Sequence, residues 1–323
     1  MDLPFETEEE EGGSGGTLAS TLLVVDDEPV VLDVCGRLLA RESDLVVIQA
    51  TSAEEALPLL QSQRIDVLIT DKNLPVMSGI ELIAEARRLQ PALEAMMITG
   101  YASSESVIAA FAAGASDYIL KPFDDLRVLR AKVRAALERR SERIKGREQA
   151  RDVARQASTL LESGQDAPEN AHQALEDELR NYEQAVRSGA MTGRVAVVGS
   201  PEAEQVLTAE GFQVVSLPAT SPELETCDVV ILETGEPRWR MLAEILQSRS
   251  PDVLLLANPQ ADLSDLLEAI GLRLDLVGFG SSSGTQSLPE RVKMLLVRRS
   301  IERAQTRLAN ALLLFHRSIT TRR

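Results

Sequence analysis

Short apolar runs, each ending in a polar side chain, constrain this 323-residue chain more than any other feature. In the stretch 66–79, DVLITDKNLPVMSG, the run Val67-Leu68-Ile69 leads through Thr70 to Asp71. A buried parallel strand reads this way. In open α/β sheets the carboxyl ends of the strands form the crevice where ligands bind. Upstream, Leu22-Leu23-Val24-Val25 ends in Asp26-Asp27-Glu28-Pro29. Downstream, Met96-Met97-Ile98 ends in Thr99-Gly100, and Tyr118-Ile119-Leu120 ends in Lys121-Pro122. In a doubly wound sheet those polar ends converge on one edge.

A lone strand-terminal Asp is more often a turn or cap residue. The set of Asp-Asp, Asp, Thr and Lys is what transfer of a phosphoryl group to a carboxylate requires. Asp71 would be the nucleophile. Asp26, Asp27 and Asp71 offer oxygen ligands to Mg²⁺, which takes one or two carboxylates, waters and phosphate oxygens. The metal would offset repulsion between an anionic nucleophile and an anionic phosphoryl group. Lys121 supplies a point charge and Thr99 a hydroxyl for phosphoryl oxygens.

Residues 21–127 resemble the receiver domain of bacterial two-component response regulators, on the pieces LLVVDDEP, DVLITDKNLPVMSGIELI, ITGYASSE and GASDYILKPF. The wording is similar to receivers that precede the ATPase of enhancer-dependent transcription activators. The resemblance implies that a sensor histidine kinase phosphorylates Asp71 and that catalysis is limited to the domain's own Mg²⁺-dependent phosphorylation and dephosphorylation. It further implies that Asp26, Asp27, Asp71 and the backbone carbonyl of Asn73 hold Mg²⁺. Thr99 and Tyr118 would be the switch pair and Lys121 the holder of a phosphoryl oxygen. The Lys121–Pro122 bond is expected to be cis, a form rare outside X–Pro.

The implied fold is α/β: five parallel strands in the order 2-1-3-4-5 with helices on both faces. Helices are expected near 28–41, 53–61, 79–89, 104–112 and from about 124 on, with Asp124-Asp125 as a cap. Pro58 should bend the second helix or delay its start. Residues 1–20 carry six acids and no base, followed into GGSGG, and read as a disordered tail.

No ATPase, winged helix or cyclase pattern follows the first domain. A helical linker is expected over 128–193 instead, as a hairpin or coiled coil. Leu126, Leu129, Val133, Ala136, Leu137 and Ile144 keep helical spacing, and Ala171, Leu175, Leu179, Tyr182 and Val186 form a second stripe. His172 lies on that second helix and reads as a solvated surface side chain, with a phosphorelay role the sharper alternative.

Residues 194–290 repeat the rhythm of the first domain. Strands are expected at 195–198, 214–217, 229–232, 253–256 and 274–277, and CDVVILE parallels IDVLITD. Every chemistry-bearing position differs: Gly199-Ser200 stand for Asp26-Asp27, Glu233 for Asp71, Ala257 for Thr99 and Phe279 for Lys121. A degenerate, receiver-like domain is the reading. Glu233 is read as a structural carboxylate rather than a built-in mimic of the phosphorylated state. The whole is thus expected as two doubly wound five-stranded parallel sheets of the flavodoxin/receiver type, joined by long helices.

The segment 291–323 continues as an extended helix with a stripe of Ile301, Leu308, Leu312, Phe315 and Ile319. An apolar stripe that leaves its domain needs a partner, and a homodimer is the simplest supply. Both long helices are basic: 127–155 has eleven Lys/Arg against four acids, and 291–323 has nine against one, although the chain's net charge is −16. Two readings follow. The bases balance the acidic domains, and output runs through protein–protein contact; or the helices bind nucleic acid. No apolar run approaches a membrane span, so no membrane role is expected. Cys35 and Cys227 fall in separate domains and read as reduced, buried thiols of a cytoplasmic protein.

Overall fold

A computed structural model of the chain describes residues 19–39, 44–122, 126–163, 167–189, 192–248, 252–258, 260–278 and 287–320. Most of the acidic tail, the Asp124-Asp125 cap and Phe279 lie outside them.

The first half runs β1 (Ser20–Val25), α1 (Pro29–Leu39), β2 (Leu45–Ala50), α2 (Ala53–Ser62), β3 (Val67–Asp71), α3 (Gly79–Leu89), β4 (Glu94–Thr99), α4 (Ser104–Ala112) and β5 (Asp117–Leu120). All strand pairs are parallel, in the order β2-β1-β3-β4-β5. Every residue of β3 and β4 is buried, as a sheet covered on both faces requires. Alternate residues feed opposite faces. Leu22, Val24, Val67, Ile69, Met96 and Ile98 enter one cluster, whereas Leu23, Val25, Leu68 and Met97 enter the other.

Serines start three of the helices by accepting orphan backbone N–H groups: Ser52 for α2, Ser78 for α3 and Ser103 for α4. Ser78 and Glu81 form a reciprocal capping box. Pro58 does not delay α2, because the Ser52 cap has already set its start and the chain stays helical to Ser62.

The second half repeats this plan with β6 (Arg194–Val198), α7 (Pro201–Ala209), β7 (Gln213–Ser216), β8 (Val229–Glu233), α8 (Trp239–Gln247), β9 (Asp252–Ala257), α9 (Leu263–Gly271) and β10 (Asp275–Gly278). Its order, β10-β9-β8-β6-β7, is that of the first sheet read from the other edge. A 3-10 turn, Pro222–Thr226, stands where α2 stands in the first half. The likeness reaches single hydrogen bonds. After α4, the N–H groups of Ala113, Gly114 and Ala115 reach the carbonyls of Ala109, Phe111 and Ala110. After α9, Leu272, Arg273 and Leu274 reach Glu268, Ile270 and Ala269 in the same pattern. Gly114 has φ +105°, and Arg273 takes φ +58° at the matching place. The left-handed conformation favours glycine, so the second half holds a strained residue where the first does not.

Three long helices complete the chain: α5 (Leu126–Glu162), α6 (Glu169–Ser188) and α10 (Leu288–Thr320). Leu129, Val133 and Ala136 of α5 cover the first sheet, and Val292, Leu295 and Leu296 of α10 cover the second. Beyond the sheets, α5, α6 and α10 form a bundle around Ala150, Ala157, Leu175, Tyr182, Leu308, Leu312 and Phe315. The apolar stripe of α10 is therefore covered within the chain, which removes the reason for expecting a homodimer. On α6 it is Ala185 that turns inward, while Val186 is 47% exposed. The ring of His172 packs edge-on against Phe315 with centroids 4.9 Å apart, so it is not a freely solvated side chain.

The basic residues of the long helices meet acids at the amino-terminal edges of both sheets. Asp66, just before β3, accepts from the N–H of Thr21 and lies 2.8 Å from Arg140. Asp228, just before β8, accepts from the N–H of Arg194 and pairs with Arg303. Glu94 is held by Arg139 and Arg143, and Asp252 by Arg298 and Arg299. Asp117 is held by Lys132, and Asp275 by Arg291. The balance-of-charge reading of the basic helices matches these pairs.

Candidate functional site at the carboxyl edge of the first sheet

The ends of β1, β3 and β5 meet at one ammonium. Lys121 Nζ lies 2.8 Å from Asp26 Oδ2, 2.8 Å from Asp71 Oδ1 and 2.9 Å from Glu28 Oε1. Asp26 and Asp71 are buried, at 1% and 5% exposure. Strand register explains the convergence: β1 and β5 flank β3 and β4, so residues just past the strands share one crevice. The Lys121–Pro122 bond is cis, as expected.

Burial opposes the charge on Lys121, but hydrogen bonds to Asp26, Asp71 and Glu28 outweigh it and hold its pKa above the ordinary lysine value. Burial pushes the Asp26 carboxyl up despite Lys121 and the Glu28 N–H beside it. The two directions pull against each other within one pair. The ammonium is shared by three carboxylates, which is what keeps it charged in spite of burial.

Asp71 is fixed by the turn that follows it. The Asn73 N–H donates to Asp71 Oδ2 at 2.5 Å, and the Gly79 N–H donates to the Lys72 carbonyl. A Cβ on Gly79 would lie 1.9 Å from the Asp71 carbonyl oxygen, so only glycine allows α3 to start this close to the strand.

The remaining predicted residues fall near this centre without joining it. Asp27 follows Asp26 and is exposed. Thr99 is fully buried, and its hydroxyl donates to the Tyr101 carbonyl and accepts from the Tyr101 N–H. Tyr118, 3% exposed, turns its phenol to the Ser106 hydroxyl on α4 at 3.1 Å. Burial raises the phenol's pKa, an effect eased by Ser106. Glu28 and Ser106 are members that the sequence reading passed over. Glu28 stood inside the DDEP string, whereas the Ser106–Tyr118 contact depends on the docking of α4.

Among the described residues no three His, Cys, Asp or Glu side chains form a metal cage. The donor set still suits Mg²⁺, which needs only one or two carboxylates besides carbonyl and water oxygens. Asp26 and Asp71 supply two buried carboxylates on a single cation, the Lys121 ammonium.

The matching edge of the second sheet differs throughout. Gly199 and Ser200 follow β6, and Ala257 ends β9. Glu233 accepts from the Asn258 amide at 3.3 Å rather than from an ammonium. Cys35 and Cys227 are buried free thiols, and burial pushes Cys35 up to about 12. No helix among the described residues is long and apolar enough to cross a membrane.

Known proteins match the half that bears this site. The response regulator receiver domain family matches residues 22–134. The transcriptional regulatory protein YvrH of Bacillus subtilis is 36% identical over 114 residues, 35% of this chain and 47% of that protein. An uncharacterized 14.6 kDa protein of Leptolyngbya boryana is 39% identical over 107 residues, 32% of this chain and 81% of that one. The hydrogenase transcriptional regulatory protein HoxA of Cupriavidus necator is 36% identical over 99 residues, 30% of this chain but only 20% of that protein. The chain thus spans about half of YvrH and a fifth of HoxA. Through its first sheet, the chain belongs to the response regulator receiver family.

Proposed function

We propose that the chain is a response regulator whose Asp71 takes a phosphoryl group from a sensor histidine kinase and whose output is a protein–protein contact. The observation that carries this reading is the single ammonium of Lys121, held 2.8 Å from both Asp26 and Asp71 in the crevice. An Asp71 oxygen bonds to phosphorus as the P–N bond to the kinase imidazole breaks, and the imidazole regains a proton from solvent. Lys121 then shifts from carboxylate to phosphoryl oxygen. Asp26, Asp27, Asp71 and the Asn73 carbonyl would hold Mg²⁺, which when bound supplies charge against the anionic partners. Thr99 and Tyr118 leave their present bonds to Tyr101 and Ser106, shifting an equilibrium at α4.

In this reading the second half is a degenerate receiver with no acceptor chemistry, and Glu233 is structural. Nucleic-acid output has less support, because the arginines of α5 and α10 are engaged with Asp66, Glu94, Asp228 and Asp252.

The purified chain, given acetyl phosphate and Mg²⁺, should gain an acid-stable, base-labile phosphoryl group, read by intact mass and retarded migration in a phosphate-affinity gel. Asp71→Asn should gain none. Equal incorporation in Asp71→Asn would overturn the assignment.

A further inference from the structure

The two halves touch each other in a reciprocal way. α4 packs on β10, α9 packs on β5, α4 meets α9, and α5 meets α10. By chain order α9, β10 and α10 are the second half's versions of α4, β5 and α5. Each contact therefore pairs an element with its counterpart or is matched by the exchanged pair. Two identical subunits related by a two-fold axis meet in this way.

The residues follow the same rule. Ser104 Oγ donates to the carbonyl of Ala261, in the turn before α9, at 2.9 Å. Ser104 thereby marks the face of α4 turned to the second half. Ile108 and Phe111, four and seven positions on, continue that face. On α9 the positions 159 further along are Leu263, Leu267 and Ile270, the same three-residue stripe. All five apolar members belong to, or pack on, one cluster that runs without a break through both sheets. Across the seam, Arg87 of α3 feels the charges of Asp275 on β10 and Arg291 on α10.

We infer that the second sheet domain is a covalently attached dimer partner for the receiver. It covers the α4–β5 face of the receiver, which leaves that face closed to a second copy of the chain. Only one side of the pair carries the acid pair, acceptor and lysine, so a single modification drives it. The first turn of α4 connects the two roles: Ser106 holds the Tyr118 phenol on one side, and Ser104 holds Ala261 on the other. Release of Tyr118 would loosen the seam from within. This regulatory step rests on the phosphorylation reading, whereas the internal pairing does not.

The test uses the full chain. Light scattering should give one 35.2 kDa chain per particle, with or without acetyl phosphate and Mg²⁺; a stable dimer would overturn the pairing. Hydrogen exchange should show α9 and β10 protected in the wild type. Ile108→Glu, which places a charge in the seam, should speed their exchange by at least about tenfold while β1 and β3 stay protected. Ser104→Ala, which removes only the hydroxyl bonded to Ala261, should do the same more weakly. Unchanged exchange in both variants would overturn the pairing. Acetyl phosphate should also speed exchange in α9 and β10, and not in Asp71→Asn. A chain that gains phosphoryl mass without that change contradicts the regulatory step, and one that gains no mass contradicts the phosphorylation reading alone.

Discussion

The two sheets of this chain share one edge and differ at the other. At the amino-terminal edges, Asp66 and Asp228, Glu94 and Asp252, and Asp117 and Asp275 occupy matching places and are caught by arginines or lysine of the helix that closes each sheet. At the carboxyl edges, Asp26, Asp71 and Lys121 face Gly199, Glu233 and an asparagine amide in the corresponding crevice. The shared edge fastens a long helix to a sheet and is needed for the architecture in both halves. The divergent edge gathers buried carboxylates around one ammonium in the first half and leaves a single carboxylate with an amide in the second.

The largest effect should come from Lys121→Ala. The substitution leaves Asp26 and Asp71 buried without their cation. It should cost about 3–5 kcal/mol in urea unfolding, the range for breaking a buried pair from one side. Phosphoryl uptake should also fall, and Glu233→Gln in the second half should change neither.

A smaller contrast separates the two fastenings. The Arg140 side chain is 10% exposed against Asp66, whereas Arg303 is 52% exposed against Asp228. Arg140→Ala should destabilise by about 2–4 kcal/mol and Arg303→Ala by about 1, because solvent screens the second pair. Equal losses in denaturant midpoint would show that exposure does not set the difference.

Glycines give the next comparison. Gly79→Ala forces a Cβ toward the Asp71 carbonyl, 1.9 Å away, and should cost about 1–3 kcal/mol by displacing α3 from the site. Gly235, after β8, has open space, and Gly235→Ala should stay within about 0.5 kcal/mol. Thermal midpoints of the two variants would rank them.

The smallest effect is on pH. Burial raises Asp26, so on acidification it takes up a proton before an exposed aspartate would. A neutral acid is a poorer cation ligand, so Mg²⁺ affinity should weaken as the pH falls. Tyr101 fluorescence or calorimetry would follow the titration, and affinity that rose toward acid would contradict the sign.

Strands were legible because each buried run stops at a polar residue, and the edge residues Asp26, Asp71 and Lys121 were legible for the same reason. Contacts made through tertiary docking were not. The Tyr118 phenol could have pointed to Thr99 or to a helix, and only the placement of α4 selects Ser106. The stripe of α10 announced a missing partner without naming it; α6 and α5 proved to be that partner, which is why a homodimer was expected and is no longer required. On α6, three-residue steps after Tyr182 turn Ala185 inward in place of Val186, a choice that a spacing of three or four leaves open. His172 sat on a polar stretch and gave no sign of Phe315, which lies far along the chain.

The most direct test is the stoichiometry and position of phosphorylation in the intact chain. After reaction with acetyl phosphate and Mg²⁺, peptide mapping should find one phosphoryl group per chain, on Asp71, with none on Glu233 or any residue of the second sheet. A phosphoryl group in the second half, or one that remains on the chain after Asp71→Asn, would contradict the division of labour between the two sheets.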